Sequence, residues 1–299
     1  MLYVLSSPHS GSTLLGTALG VHPEICFAGE LFEIPAPAWV PGRPCSCGQP
    51  AAVCPFWHAV RERLEATTSV EEMRRGEAAY NRWVALPRVV VGRLTRSHAL
   101  GGHARDLGAL ARAIQETSGK SIIIDTSKGA SRGLSYELAR SDEFEVKFLH
   151  LLRDGRGVVA SRKSREARVS PTGTVDPNAA LKYSILWGLA NLAFVALFAP
   201  QADRHLRLRY EDFTRDPEGT IRRLAEFLEV PPEPVIEHLR AHGEFPTGHV
   251  VAGNRLRLGG GVRIRPATSD WEERLTPRER RTYAAVASWA ARLFGYAAR

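Results

Sequence analysis

Three times along this chain a short apolar run of strand composition breaks into a polar, turn-forming loop and then into a segment with helical spacing. Residues 3–7 (YVLSS) lead through SPHSGST into an apolar segment at 14–21. Residues 121–125 (SIIID) lead through TSKGAS into a helix expected over about 132–140, and 145–152 (EVKFLHLL) lead through RDGR into one over about 157–168. Strands this uniformly apolar are buried on both faces. Strand, loop, helix repetition then calls for parallel pairing through right-handed crossovers. Residues 205–210 (HLRLRY) read as a fourth strand, followed by a helix in which Ile221, Leu224 and Leu228 recur at helical spacing. The expected class is α/β: a central, mainly parallel sheet flanked by helices in three layers. In such sheets ligands sit at the carboxyl ends of the strands, where all three loops fall.

The rest of the chain is arranged around that frame. Residues 34–55 are dense in Pro, Gly and Cys and read as irregular, with helices expected over 57–66 and 70–91. Residues 178–198 read as a long buried helix, 243–270 as a Gly- and Arg-rich loop, and 276–294 as a last helix with Thr276 as N-cap and Pro277 at its first position. No stretch has the composition of a linker, so one domain over 1–299 is expected.

Charge and composition exclude several classes. Forty Lys and Arg against 32 Asp and Glu give a formal charge of +8, which favours anionic ligands. Arg156, Arg162, Lys163, Arg165 and Arg168 lack the interleaved aromatics of a strand-tracking nucleic-acid surface, so no nucleic-acid partner is expected. The most apolar stretch, 185–199, contains Asn191 and falls short of the roughly 20 residues of a membrane span. The first residues have neither the basic region nor the apolar core of a secretory signal. The four cysteines, Cys26, Cys45, Cys47 and Cys54, do not make a disulfide scaffold in a chain of this size. A cytoplasmic protein is the expectation.

The loop SSPHSGSTLL has the setting of a phosphate cradle: it follows a strand, contains a flexible Gly and opens a helix, whose outward N–H groups stabilise an anion. A Ser/Gly turn capping a helix would read the same way in isolation. It is not a Walker A loop, because Ser12 stands where that motif requires Lys. A nucleotide kinase of atypical P-loop type, or a non-catalytic module for anionic ligands, are the alternatives that this loop leaves open.

PHSGST (8–13) and LLRDGRGVVAS (151–161), in this order, resemble the 5′-phosphosulfate and 3′-phosphate motifs of the sulfotransferases that use 3′-phosphoadenosine 5′-phosphosulfate (PAPS). HPEICFAGEL, DTSK, RYEDFTRDP and HVVAGNRLR extend the resemblance over most of the chain, nearest the tyrosylprotein and carbohydrate branch. The resemblance implies a P-loop-like fold whose acceptor side is an insertion at about 34–118. It also implies PAPS as co-substrate, and transfer of a sulfuryl group to a hydroxyl or amine of a small-molecule, glycan or peptide acceptor. No metal is called for.

Carried onto this chain, Ser10, Gly11, Ser12 and Thr13 supply donors to the 5′ side, with His9 where the family has Arg. Arg153 and Ser161 hold the 3′-phosphate, and Tyr210 contacts it or the adenosine, though a core-facing Tyr at a strand end is the alternative. Gly253, Asn254 and Arg255 form the nucleotide-covering loop, with Arg255 where the family shows Pro. Lys128 stabilises the leaving phosphate, and Glu30 is the general base, with Glu33 as a rival. A surface salt bridge is the alternative for Arg153, a helix-flanking surface position for Lys128, and a surface role for either Glu. Cys45, Cys47 and Cys54 have unusual spacing for zinc and no clear fourth ligand beyond Cys26 or His58, so the cluster is expected to be structural without an ion. Nothing in the sequence fixes the oligomeric state, and a homodimer is left open.

Overall fold

The computed structural model describes residues 1–34, 42–81, 83–141, 144–267 and 270–296; residues 35–41 of the irregular segment, among others, lie outside them. Along the chain, β1 (Leu2–Ser6), α1 (Ser12–Leu19) and β2 (Ile25–Gly29) precede a run of helices, α2 (Pro55–Glu65), α3 (Val70–Tyr80), α4 (Leu86–Leu94) and α5 (His98–Ser118). Then come β3 (Ile122–Lys128), α6 (Ala130–Ala139), β4 (Lys147–Leu152), α7 (Gly155–Val169), α8 (Ala179–Phe198) and β5 (His205–Arg209). The remainder is α9 (Tyr210–Arg215), α10 (Pro217–Leu228), α11 (Glu233–His242), a small antiparallel pair β6 (Phe245–Pro246) and β7 (Gly261–Val262), α12 (Trp271–Arg274) and α13 (Pro277–Leu293).

The main sheet is fully parallel, in the order β2-β3-β1-β4-β5. This is the α/β class expected from the sequence, and β2, the strand expected to return before Glu30, lies at the sheet edge. β1 shows why the class follows from composition. Leu2 and Val4 are buried with Leu14, Leu15 and Leu19 of α1 on one face. Tyr3 and Leu5 are buried on the other with Leu134 and Tyr136 of α6 and Phe194 and Phe198 of α8. A strand at the centre of a sheet covered by helices on both faces has no polar side.

Two helix expectations need correction. The single helix over 70–91 is two, α3 ending at the Asn81 C-cap and α4 beginning beside Pro87; a proline disfavours helical geometry in the residue before it. The apolar segment around Asn191 is also longer than the 15 residues that argued against a membrane span. α8 has 20 residues and is by length and composition able to cross a membrane. Trp187, Phe194 and Phe198 on one of its faces are buried. Asn191 on that face is buried too, bonded to His150 of β4 at 2.9 Å. At the other end of the chain, α13 has the expected cap: Thr276 accepts from the Glu279 amide and Glu279 accepts from the Thr276 amide.

The helices α2, α3 and α5 bury their apolar faces together with Ala28 and Ile123 of the sheet edge, around Trp57, Leu64, Met73 and Ile114. Val251 belongs to the same cluster. The Cys- and helix-rich segment and the late Gly-rich loop therefore meet beside β2. All five main strands point their carboxyl ends the same way, so the loops after them form one rim.

Candidate active site

The rim is built from the end of β1 outward. His9 stands at φ 68° and Gly11, the N-cap of α1, at φ 87°. The first is uncommon for a residue with a side chain. The second is required: a β-carbon on Gly11 would lie 2.2 Å from Tyr210 Cδ2, so the aromatic ring rests directly on the loop backbone. The Ser10 hydroxyl is buried and makes no hydrogen bond with the described residues. An oriented donor of this kind, beside the first N–H groups of α1, suits an oxyanion.

Arg153, the first residue after β4, braces this loop. Its Nη1 donates to the His9 carbonyl at 2.7 Å, and its guanidinium lies 4.9 Å from the centroid of the Tyr210 ring. The same guanidinium faces the first turn of α7, since a β-carbon on Gly157 would stand 3.3 Å from Arg153 Nε. Ser161 lies four residues beyond Gly157 and so on the same helix face. Arg153, Tyr210, Gly11 and Ser161 thus come to one corner.

The electrostatics agree. Burial, and then the charges of Arg165, Arg162, Lys128 and Arg153, hold the His9 imidazole down to about 4. His9 is therefore neutral at physiological pH, with one donor and one acceptor nitrogen. The same four cations create a field that an anionic ligand would neutralise.

The opposite corner is formed by β2 and β3. The pairing of β3 slips within its last residues: Tyr3 of β1 faces Asp125, whereas Leu5 faces Lys128. Such an irregularity re-aims the side chain that follows, and Lys128 has φ 74°. Its ammonium is ion-paired with the Glu30 carboxylate and donates to the Thr126 carbonyl at 3.0 Å. Glu30, just past β2, donates its amide to the Ala252 carbonyl at 3.3 Å. The late loop closes over both: Asn254 N donates to Thr13 Oγ1 at 3.3 Å, and a β-carbon on Gly253 would stand 3.9 Å from Glu30 Oε1.

Beneath this corner lies a buried polar hub that the sequence reading missed. Asp125, fully buried, accepts from Leu31 N at 3.2 Å, Ser127 N at 2.8 Å, Arg132 Nε at 2.9 Å and Tyr136 OH at 3.0 Å. Arg132, also fully buried, completes its pairing with Glu77 of α3. A buried charge of this kind persists only when paired and hydrogen-bonded. Here the hub fixes the peptide after Glu30 and the turn before Lys128. The signal was present, since Asp125 opens the DTSK motif, but a sequence does not show which member of a motif turns inward.

Two expected residues stand apart. Arg255 is exposed on a short 3-10 turn, Arg255–Leu258. Glu33, the rival base, is ion-paired with Arg43 at 2.6 Å rather than with Lys128. Arg162 and Arg165 enter the site although the sequence reading credited them with no role; their spacing after Arg153 along α7 was the available clue. The premise against a metal also fails, because His249 comes beside the three clustered thiols, its Nδ1 3.3 Å from Cys54 Sγ.

Residues 145–234 match the sequence model of the Sulfotransferase family, a stretch that contains β4, Arg153, α7 with Ser161, and Tyr210. Solved sulfotransferase structures share the fold of the whole chain. The sulfotransferase domain of the Synechococcus PCC 7002 olefin synthase is 21% identical, with a TM-score of 0.53 over 99% of this chain and 94% of that one. The sulfotransferase domain of the curacin biosynthetic pathway is 19% identical, with a TM-score of 0.53 over 99% of this chain and 98% of that one. No curated protein matches the chain.

Proposed function

We propose that this chain transfers a sulfuryl group from PAPS to an acceptor hydroxyl or amine. The observation that carries the reading is the meeting, at one sheet rim, of a cationic phosphate-type loop with a Lys128–Glu30 pair. Arg153, with Ser161 along the same face, supplies charge-assisted bonds to a 3′-phosphate, for which a planar guanidinium is suited. Ser10, Ser12, Thr13 and the α1 amides take the 5′ side, and neutral His9 offers a hydrogen bond there rather than a charge.

The chemistry follows from the second corner. The acceptor oxygen or nitrogen attacks sulfur in line, a new bond to sulfur forms, and the bond from sulfur to the bridging phosphate oxygen breaks. The electron pair leaves with 3′-phosphoadenosine 5′-phosphate (PAP), and the acceptor proton passes to Glu30. A lysine ammonium has three donors. Among the described residues, Glu30 and Thr126 take two of those of Lys128, and the third serves the negative charge that develops on the leaving oxygen. The pairing also orients Glu30 before the acceptor arrives.

The acceptor belongs to a carbohydrate, a peptide or a secondary metabolite, bound against the helices α2 to α5. Incubation with PAPS carrying labelled sulfur, with acceptors of these classes in turn, tests the reading. Label should move to one class with stoichiometric release of PAP. Failure to bind PAP at all would refute the proposal.

A further inference from the structure

We infer that Cys45, Cys47, Cys54 and His249 form a structural zinc site that staples the Cys-rich segment to the late loop covering the phosphate cradle. The four ligand atoms, three Sγ and one ring nitrogen, all lie within 4.8 Å of one another. Cys47 and Cys54 Sγ are 3.7 Å apart, and Cys54 Sγ is 3.3 Å from His249 Nδ1. A tetrahedral ion with Zn–S of about 2.3 Å and Zn–N of about 2.0 Å has S–S edges of about 3.8 Å and S–N edges of about 3.5 Å. Two of the six edges are therefore close to those of a tetrahedral site, and all four cysteines of the chain, these three included, are free of disulfides. Three thiolates and an imidazole are the donor set of structural zinc rather than of calcium or magnesium.

Backbone amides also face the ligand sulfurs. The Cys47 amide faces the Cys45 sulfur, the Gln49 amide faces Cys47, and the Phe56 and Trp57 amides in the first turn of α2 face Cys54. Backbone donors aimed at ligand atoms are the outer shell that orients a metal site. Gly48, at φ 91°, makes the tight turn that returns the chain between Cys47 and Gln49. The histidine is equally constrained. Phe56 stacks on its ring at 5.0 Å, and Trp57 Nε1 donates to its carbonyl at 2.8 Å.

The link has a destination. Ser46 N donates to the Val250 carbonyl at 3.0 Å, and Val250 N donates to Ser46 Oγ at 2.7 Å. Two residues beyond Val250, the Ala252 carbonyl receives the Glu30 amide. An ion held by both segments would fix the loop that reaches Thr13 and Glu30.

Full-length protein prepared under reducing conditions without chelator tests this through metal content and through cobalt substitution, neither of which requires enzymatic activity. One zinc per chain is expected. Cobalt(II) in its place should show the visible bands of tetrahedral coordination together with thiolate-to-metal charge transfer. Cys47→Ser, at an exposed position, and His249→Ala should each lower zinc affinity by about 100-fold or more, the upper end of what loss of even an outer-shell partner costs. Absence of stoichiometric zinc from the wild type grown with zinc, together with no tetrahedral cobalt spectrum, would overturn the inference. A Cys47–Cys54 disulfide in its place would do the same, as would a His249→Ala protein with unchanged zinc affinity and cobalt spectrum.

Discussion

Replacing Arg153 separates two functions that the structure joins in one guanidinium. One is bracing: Nη1 holds the His9 carbonyl at 2.7 Å, and the plane lies over Tyr210. The other is the proposed contact with the 3′-phosphate. Bracing matters equally for any nucleotide that uses the phosphate loop, whereas the second contact matters only when a 3′-phosphate is present. Arg153→Ala should therefore weaken AMP and PAP together through the loosened loop and, in addition, erase part of the preference for PAP. A hydrogen bond to a charged group is worth about 1.5–3 kcal/mol, which is roughly 10- to 150-fold in the ratio of the two affinities. Arg153→Lys keeps the charge but loses the fork and the ring contact, so it should retain an intermediate preference. Calorimetric titration of the wild type and both variants with PAP and with AMP supplies all six constants. A PAP-to-AMP ratio unchanged in Arg153→Ala would refute the assignment even if both affinities fell.

Glu30→Gln should lower turnover by about 10²–10⁴-fold while leaving PAP affinity nearly unchanged, as expected for loss of a general base; normal turnover, with Glu33→Gln inactive, would transfer the role to Glu33. Gly11→Ala combines left-handed strain of about 1–2 kcal/mol with a clash against Tyr210 worth about 1–3 kcal/mol more. Gly119→Ala, at φ 66° with nothing within 4 Å, should cost the strain alone, so equal melting points for the two variants would contradict the packing described. Burial lowers His103 to about 3 and His150 to about 4. The unfolded chain then binds protons that the native state refuses, and stability present above about pH 6.5 should fall as pH drops toward 4. The two together account for about 3 kcal/mol by pH 5.5, partly offset by Glu77, whose carboxyl burial raises to about 7 so that the native state gains a proton over the same window. Urea titrations at pH 7.5 and 5.5 measure it, and a flat profile would be the contrary result.

What could be read in advance was what repeats locally. β1, β3 and β4 announce themselves by composition, and residues at or just beyond their ends, His9, Lys128 and Arg153, do meet at one rim. The bounds of β2 were not legible because ICFAG is short and carries Cys and Gly in place of β-branched alternation. α5 was hidden by Gly101, Gly102 and Gly108, which blur its helical period. Contacts between distant segments left no trace either. Nothing near Cys54 indicates that its neighbour is His249, and nothing in DTSK distinguishes the buried Asp125 from the rim-facing Lys128. Both depend on which loops the sheet order brings together.

The position of β1 also bears on how the chain must be made. It lies at the middle of the sheet, yet its partners come late: Leu2 pairs with Ile124 on one side and with Lys147 on the other. A ribosome therefore releases a largely apolar strand long before either neighbour has been synthesised, and every helix from α1 to α5 emerges in the interval. Non-local parallel pairing of this kind is slow, and an unpaired apolar strand invites association with other nascent chains. Yield in a heterologous host should accordingly depend on temperature and on chaperone supply more than on the equilibrium stability of the finished protein.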